Sequence, residues 1–205
     1  MLKTNHNKVK LGLTSPYALA FVVSVLCVTL YLTNLASTLA YQRELILDGQ
    51  WWRIVTGNLL HTNLWHLLMN LAGMWVIVAP HEQHYRLKAL SLLLVCLCLL
   101  QGLGLLIFYP ALIGYVGLSG VLHGLFAYGA VLDIRYGYKS GYLLLLGVIA
   151  KVTYEQYFGA SAEVTALIDA RVATEAHLIG MLTGISCALI VIASKAIFAT
   201  RATAK

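Results

Sequence analysis

A serine, several histidines and pairs of glycines stand out in an otherwise apolar chain. Ser119 lies in the stretch GLSGVLHG that begins at Gly117, where a predicted apolar helix starts. Backbone N–H groups and the helix dipole at such a position favour developing negative charge, so a serine there could attack a carbonyl while those groups receive the oxyanion. The alternative is a capping serine beside closely packed helices, because Gly120 and Gly124 form a small-xxx-small motif.

His177 is the candidate general base for this serine. It opens the stretch HLIGMLTG, in which Gly180 and Gly184 form a second small-xxx-small face on a similar side of the helix. If the two glycine faces pack together, Ser119 and His177 come within hydrogen-bond distance. An interhelical hydrogen bond without chemistry is the alternative. We predict Ser119 and His177 to be the catalytic nucleophile and base.

Two further polar residues are candidates for stabilising an oxyanion. His66 and Asn70 are four residues apart and therefore lie on one helical face. Both side chains can donate hydrogen bonds, so together with the backbone N–H of Ser119 they predict an oxyanion hole. His123 follows Ser119 by four residues, and it could stack on His177, hydrogen-bond to it, or compete with it as a base.

Metal binding is the rival use of the histidines. A catalytic metal site commonly adds a carboxylate or thiolate to imidazole ligands, and the acids near these histidines, Asp169 and Glu175, belong to a polar loop. The four cysteines lie in apolar runs without zinc spacing, so we expect no metal and no cofactor. No third triad member is predicted, since Glu175 should point away from His177, and Lys151 with Glu155 is interpreted as an i,i+4 ion pair. The histidines concerned are His61, His66, His123 and His177.

The elements that must position these residues are predicted to be membrane helices. The chain has 205 residues, of which 60% are hydrophobic and 11% charged, and its mean hydropathy is +0.80. A soluble domain carries about 25% charged residues. We therefore predict an all-α membrane protein, a single domain over residues 1–205 without linkers or repeats. Six apolar segments, each about long enough to span or nearly span a bilayer, cover about residues 17–37, 62–79, 89–108, 119–134, 140–158 and 175–198.

The basic residues predict orientation rather than nucleic-acid binding. The net charge is +6, but the positive residues lie at the ends of apolar runs and are not clustered with aromatic side chains. With both termini in the cytoplasm, most of them fall on the inner side, while Ser119, His66 and His177 share the outer side. Trp51 and Trp52 then suit the membrane interface. The inner residues are Lys3, Lys8, Lys10, Arg86, Lys88, Arg135, Lys139, Lys195, Arg201 and Lys205, and the outer ones are Arg43, Arg53 and Arg171.

Taken together, these motifs resemble the rhomboid family of intramembrane serine proteases. The resemblance covers about residues 50–185. It implies a six-helix bundle, a Ser119–His177 dyad, and assistance to the oxyanion from His66 and Asn70. The matching motifs are Trp52-Arg53, His61-xxxx-His66-xxx-Asn70, Gly117-x-Ser119-Gly120 and Ala176-His177-xx-Gly180-xxx-Gly184.

The fuller string that ends in His123 and Gly124 looks more like a bacterial subfamily, the rhombosortases. Common rhomboids often have tyrosine where this chain has His123. The subfamily resemblance implies substrates that are secreted or surface proteins with a C-terminal GlyGly-CTERM tail, which is a glycine-rich motif, a hydrophobic helix and a basic end. It also implies a bacterial inner membrane, with the site toward the periplasm.

Three other functions stay open at the level of sequence. The chain could be a general rhomboid protease that cuts other transmembrane substrates, or an inactive rhomboid-like protein that holds membrane helices. The intact serine and histidine argue against the second. A small transporter or channel subunit would instead place polar residues near mid-membrane, whereas here they gather near one face. The expected partners are membrane proteins with a C-terminal transmembrane tail and the lipid bilayer, with no nucleic acid.

Overall fold

The protein is mostly helical in a computed structural model that describes residues 15–33 and 35–203. Lys3, Lys8, Lys10 and Lys205, which contribute to the predicted orientation, lie outside the described residues. The α-helices are α1 Pro16–Leu32, α2 Ala36–Leu39, α3 Arg43–Leu47, α4 Arg53–Thr56, α5 Leu64–His81, α6 Leu87–Phe108, α7 Ser119–Arg135, α8 Ser140–Phe158, α9 Ala162–Ile168 and α10 Thr174–Thr203; the 3₁₀ turns are Gly57–Leu59 and Glu82–His84, and the strands are β1 Tyr41–Gln42 and β2 Gly114–Tyr115.

Each predicted apolar segment corresponds to one long helix: α1, α5, α6, α7, α8 or α10. Among the described residues, three stretches are long and apolar enough to cross a membrane by length and composition, namely Leu64–His84, Leu87–Phe108 and Thr174–Ile197. Helix α1 is apolar but shorter, with 17 residues. The number of six spans therefore stays a prediction.

Helix α5 differs from the predicted segment at both ends. It begins at Leu64 because Asn63 is the N-cap, whose side-chain oxygen accepts a hydrogen bond from the backbone N–H of His66 at 2.9 Å. The segment was predicted to stop before Pro80, but the helix passes through Pro80 and ends at His81. A proline this close to the C-terminus disrupts only the last turn, so the helix tolerates it.

Helix α7 lies at the centre of the bundle and packs against α5, α6, α8 and α10. Most of its residues are buried, including Val121, Leu125 and Ala130. A helix that is apolar all round and buried on every side belongs to the interior. Its first residue, Ser119, therefore starts inside the protein rather than on its surface.

The segment between α1 and α5 forms a compact cap over the end of the bundle that holds Ser119. Strand β1 pairs antiparallel with β2, with Tyr41 opposite Tyr115 and Gln42 opposite Gly114, which ties the cap to the loop before α7. Arg53 is buried and donates to the carbonyls of Ala40 at 2.7 Å and Ser37 at 2.8 Å. Buried backbone carbonyls need such donors, and the five N–H groups of an arginine can serve several at once.

Polar contacts hold the opposite end of α7. Asp133 is buried, and its Oδ1 lies 2.6 Å from His84 Nε2 while its Oδ2 lies 3.3 Å from His81 Nε2. These contacts join the last turn of α7 to the end of α5 and the turn after it. The helix that begins at Ser119 is thus fixed at both ends.

Candidate active site

Ser119 is the first residue of α7, and its hydroxyl meets His177 from α10. Ser119 Oγ lies 2.9 Å from His177 Nε2. His177 is buried, whereas Ser119 is half-buried. The distance is that of a hydrogen bond between a nucleophile and its base.

The approach of α7 to α10 depends on glycines on both helices. A Cβ atom added to Gly120 would lie 2.6 Å from the carbonyl oxygen of Ala176, and one added to Gly124 would lie 2.7 Å from that of Gly180. A Cβ atom on Gly184 would collide with the carbonyl oxygen of Gly124. The predicted glycine faces therefore meet, and the small residues allow the two backbones to bring Ser119 and His177 together.

His123 stacks on His177. The two ring centroids are 4.1 Å apart with an angle of 18° between the planes. His123 Nδ1 lies 2.7 Å from the carbonyl oxygen of Ser119, and because a carbonyl only accepts, this nitrogen carries the proton. The ring is thus held by its own helix and covers one face of the imidazole of His177.

His66 and Asn70 differ in how they reach the serine. A Cβ atom added to Gly117 would lie 2.8 Å from His66 Nε2, so that ring edge faces the turn just before Ser119. Asn70 is buried, and its Nδ2 donates to the carbonyl of His66 at 3.0 Å. Asn70 lines neither of the two cavities that reach Ser119. His66 is therefore placed beside the serine, whereas Asn70 contacts the backbone of His66.

Glu155 of α8 is the site residue that sequence reasoning missed. Its Oε2 lies 2.8 Å from His177 Nδ1, and its Oε1 accepts a hydrogen bond from Lys151 Nζ at 2.7 Å. The predicted ion pair with Lys151 is present, but it occupies only one carboxylate oxygen. The expectation that no acid contacts His177 was wrong, because α8 turns Glu155 toward α10.

The same carboxylate changes the argument about metal binding. His123, Glu155 and His177 offer ligand atoms within 4.8 Å of one another, so an acid does accompany these histidines, contrary to the expectation. The donors are already engaged, however. His177 uses one nitrogen for Ser119 and the other for Glu155, and the ammonium of Lys151 lies against the carboxylate. A cation would have to displace these contacts and approach an existing positive charge.

A buried polar network holds the turn before Ser119. The Tyr115 hydroxyl donates to the carbonyl of Gly117, and Gln101 Nε2 lies 3.1 Å from that hydroxyl and 2.8 Å from Asn58 Oδ1. Burial raises the pKa of the Tyr115 phenol, so it stays protonated and able to donate. Gly117 has a φ of +133°, a backbone conformation that residues other than glycine rarely adopt. The network and the glycine together set the position of the serine.

His61 lies beside this site but does not enter it. Its ring meets that of His66 edge to face at a centroid distance of 5.0 Å. Burial, followed by the neighbouring His66, lowers the pKa of His61 to about 3, which keeps the ring neutral at pH 7. His61 thus packs against His66 without adding a charge near the serine.

Ser119 lies where two cavities of different character meet. One, of about 430 Å³, is mostly apolar and lies between α5, α7 and α8. The other, of about 350 Å³, lies under the cap and is lined by His66, Thr62 and Arg171 among others. The apolar residues around the first cavity include Gly73, Ile77, Leu122, Phe126, Leu143 and Gly147.

The sequence matches the rhomboid domain over residues 48–194. The chain belongs to the rhomboid family. Among its curated relatives, the "Rhomboid protease GlpG" of Yersinia enterocolitica is 31% identical over 117 residues, which cover 54% of this chain and 41% of that protein. The "Rhomboid protease GlpG" of Photorhabdus laumondii subsp. laumondii is 29% identical over 143 residues, which cover 67% of this chain and 46% of that protein. The chain thus spans less than half the length of the curated relatives it matches.

The rhomboid domain match includes every residue of the site described above. It begins before Trp51 and ends after Gly184, so the last part of the cap, α5, α7, α8 and the first half of α10 belong to it, whereas strand β1 of the cap precedes it. Membership of this family, together with the apolar helices, indicates a multi-pass membrane protein. The resemblance drawn from short motifs is thereby confirmed at the level of the family.

Proposed function

We propose that this chain is an intramembrane serine endopeptidase in which Ser119 is the nucleophile and His177 the general base. The observation that carries the proposal is the 2.9 Å contact between Ser119 Oγ and His177 Nε2. Membership of the rhomboid family and the names of the GlpG relatives support it. A serine that merely joined two helices would not need to lie where two cavities meet.

The reaction follows from the positions of these atoms. His177 Nε2 takes the hydroxyl proton while Ser119 Oγ bonds to the scissile carbonyl carbon. The backbone N–H of Ser119 and the side chains of His66 and Asn70 stabilise the oxyanion. Asn70 acts through His66 or after a movement of its own side chain. His177 then passes its proton to the leaving amine, and water or another nucleophile resolves the acyl-enzyme.

The two cavities suggest how substrate and water reach the serine. The apolar cavity between α5 and α8 suits an extended segment from a transmembrane helix. The polar cavity under the cap suits water and the released product. A hydrolase in the bilayer must admit water as well as its apolar substrate, because the hydrocarbon core itself holds no water.

The proposed substrate class is that of the rhombosortases: secreted or surface proteins with a C-terminal GlyGly-CTERM tail. The string from Gly117 to Gly124 supports this subfamily, and the stacking of His123 on His177 gives its histidine a defined place. A general rhomboid protease acting on other transmembrane segments is the alternative. The proposed setting is a bacterial inner membrane.

The proposed topology has six spans, with both termini in the cytoplasm and the site toward the periplasm. The fold supports it by gathering positive residues at the end of the bundle away from Ser119. Arg86 and Lys195 line one cavity there, and Arg135 and Lys195 line its neighbour. Positive residues favour the cytoplasmic side.

The test is covalent labelling of the purified protein in detergent by a fluorophosphonate probe. Labelling should fall to background in Ser119→Ala and His177→Ala, because one lacks the nucleophile and the other its base. It should persist in His123→Ala, because His123 stacks on the base and bonds to the Ser119 carbonyl but supplies neither the nucleophile nor the base. Ser186→Ala is the matched serine control, since Ser186 lies on α10, away from the site, and donates to the Leu182 carbonyl at 2.8 Å.

Cleavage then separates the remaining functions. A tagged membrane protein with a GlyGly-type tail should be cut by wild type and not by Ser119→Ala, whereas a control with its glycines replaced should survive. Cleavage of both substrates would favour a general rhomboid protease. A folded wild type that neither labels nor cuts would favour the inactive helix-binding protein.

A further inference from the structure

The structure assigns Glu155 a role that the predicted dyad lacks: we propose that it is the positioning residue that orients His177 and makes Ser119–His177–Glu155 a triad. The inference rests on the proposed function and deepens it. Three different helices supply the three groups, α7 for the serine, α10 for the histidine and α8 for the carboxylate. The imidazole of His177 is bonded at both nitrogens, 2.9 Å from Ser119 and 2.8 Å from Glu155.

Glu155 determines which nitrogen of His177 carries the proton. An ionised carboxylate only accepts hydrogen bonds, so Glu155 requires the proton of His177 to sit on Nδ1. Nε2 then has a lone pair and accepts the hydroxyl hydrogen of Ser119. This is the tautomer that a general base needs, and nothing else at the site selects it, because His123 contacts the face of the ring and not its nitrogens.

The imidazole of His177 gains a positive charge during the reaction. When Ser119 Oγ forms its bond to the carbonyl carbon, the hydroxyl proton moves to His177 Nε2 and the ring becomes a cation. Glu155 stays ionised throughout and stabilises this cation from the Nδ1 side, and the proton on Nε2 later leaves with the amine as the C–N bond breaks. The carboxylate thus acts through His177 and contacts no substrate atom.

Lys151 stabilises the negative charge of the buried carboxylate. Glu155 is buried, and a lone ionised carboxylate there would be costly. Lys151 lies one turn earlier on α8 and bonds to the other oxygen at 2.7 Å, while its own side chain is half exposed. A purely structural i,i+4 pair would account for Oε1 but not for the contact of Oε2 with His177.

The test compares substitutions at Glu155 by the rate of fluorophosphonate labelling at increasing probe concentration. This separates the maximal labelling rate from the half-saturating concentration. Glu155→Gln should lower the maximal rate by about 10⁴-fold, the loss seen when the carboxylate of a soluble triad is replaced by its amide, without changing half-saturation. The reason is that the amide N–H₂ can donate to Nδ1 and select the wrong tautomer.

The order of the variants distinguishes positioning from packing. Gln has nearly the shape of Glu and retains an oxygen for Lys151, so a packing role predicts that Glu155→Gln labels much faster than Glu155→Ala. Positioning predicts that Gln is no faster than Ala, and that Glu155→Asp, which keeps the charge, is faster than both. Lys151→Met should lose less than Glu155→Ala, because the contact with His177 remains.

Glu175→Gln is the matched control, since Glu175 lies two residues from His177 but pairs with Arg171. It should label within about twofold of wild type, an expectation for an acid that does not touch the imidazole. The inference is overturned if a folded Glu155→Gln labels like wild type, or if Glu155→Asp is no faster than Glu155→Ala. If Glu155→Gln does not fold, the comparison of Asp with Ala decides. A wild type without Ser119-dependent labelling would instead overturn the proposed function itself.

Discussion

At the scale of single residues, the site depends on what surrounds the serine rather than on the serine alone. Ser119 needs a base with a lone pair directed at it, a turn that exposes its backbone N–H, and a donor facing that turn. His177, Gly117 and His66 occupy these positions. Each of these three requirements can be tested by one substitution, and the turn offers the most sensitive one.

Gly117→Ala should reduce labelling about tenfold or more while the protein still folds. The positive φ of this residue and a steric contact both oppose the new methyl group. The φ of Gly117 is +133°, and the added Cβ would lie 2.8 Å from His66 Nε2. Gly137→Ala is the matched control. Its φ is also positive, at +87°, but nothing lies within 4 Å of the added Cβ.

The labelling rate and the thermal midpoint should therefore separate these two variants. Both should lose some thermal stability from backbone strain, of the order of 1 kcal/mol. Only Gly117→Ala should lose labelling in addition to this stability. If Gly137→Ala loses as much labelling as Gly117→Ala, global destabilisation rather than the position of Ser119 explains the lower labelling rate.

At the scale of elements, the pairing of α7 with α10 sets the geometry of the site. Gly184→Ala should lower the free energy of unfolding by about 1–3 kcal/mol and reduce labelling, because its methyl group would collide with the carbonyl of Gly124 and push the helices apart. Gly147→Ala on α8 is the comparison, since its methyl group meets open space. That variant should hold or gain stability, as alanine is the better helix former. Equal losses in the free energy of unfolding of the two variants would contradict close packing of α7 against α10.

The helices and their glycine faces could be predicted from sequence, but the orientation of α8 could not. Long apolar runs and small-xxx-small spacing are local features, and they placed Ser119 opposite His177. Glu155 required knowledge of which side of α8 faces α10. In lipid, buried and exposed faces are both apolar, so the sequence pattern does not report helix rotation. The ion pair with Lys151 also gave Glu155 a sufficient local explanation.

Short-range and non-local features of the cap escaped prediction for a related reason. Strands β1 and β2 have two residues each, too few for an alternating pattern. Gln101 bonds to both Tyr115 and Asn58, which lie far from it in sequence. Such contacts follow from the fold and leave no periodic signal, so the support of the turn at Gly117 became visible only in three dimensions.

At the scale of the whole molecule, one end of the bundle carries the site and the other carries positive charge. Arg86, Arg135 and Lys195 lie together at the end of α7 that is away from Ser119. This asymmetry predicts which side of the membrane each end faces.

Reporter fusions test that orientation. Alkaline phosphatase, which is active only outside the cytoplasm, should be active when fused after Gly159 and inactive when fused after Gly137, because α8 runs between these glycines and should cross from the charged end to the end that holds the site. Green fluorescent protein at the same two points should give the opposite pattern, which controls for expression. Active phosphatase after Gly137 would place the positive cluster outside and Ser119 toward the cytoplasm, and it would exclude secreted proteins with exported tails as substrates cut on the periplasmic side.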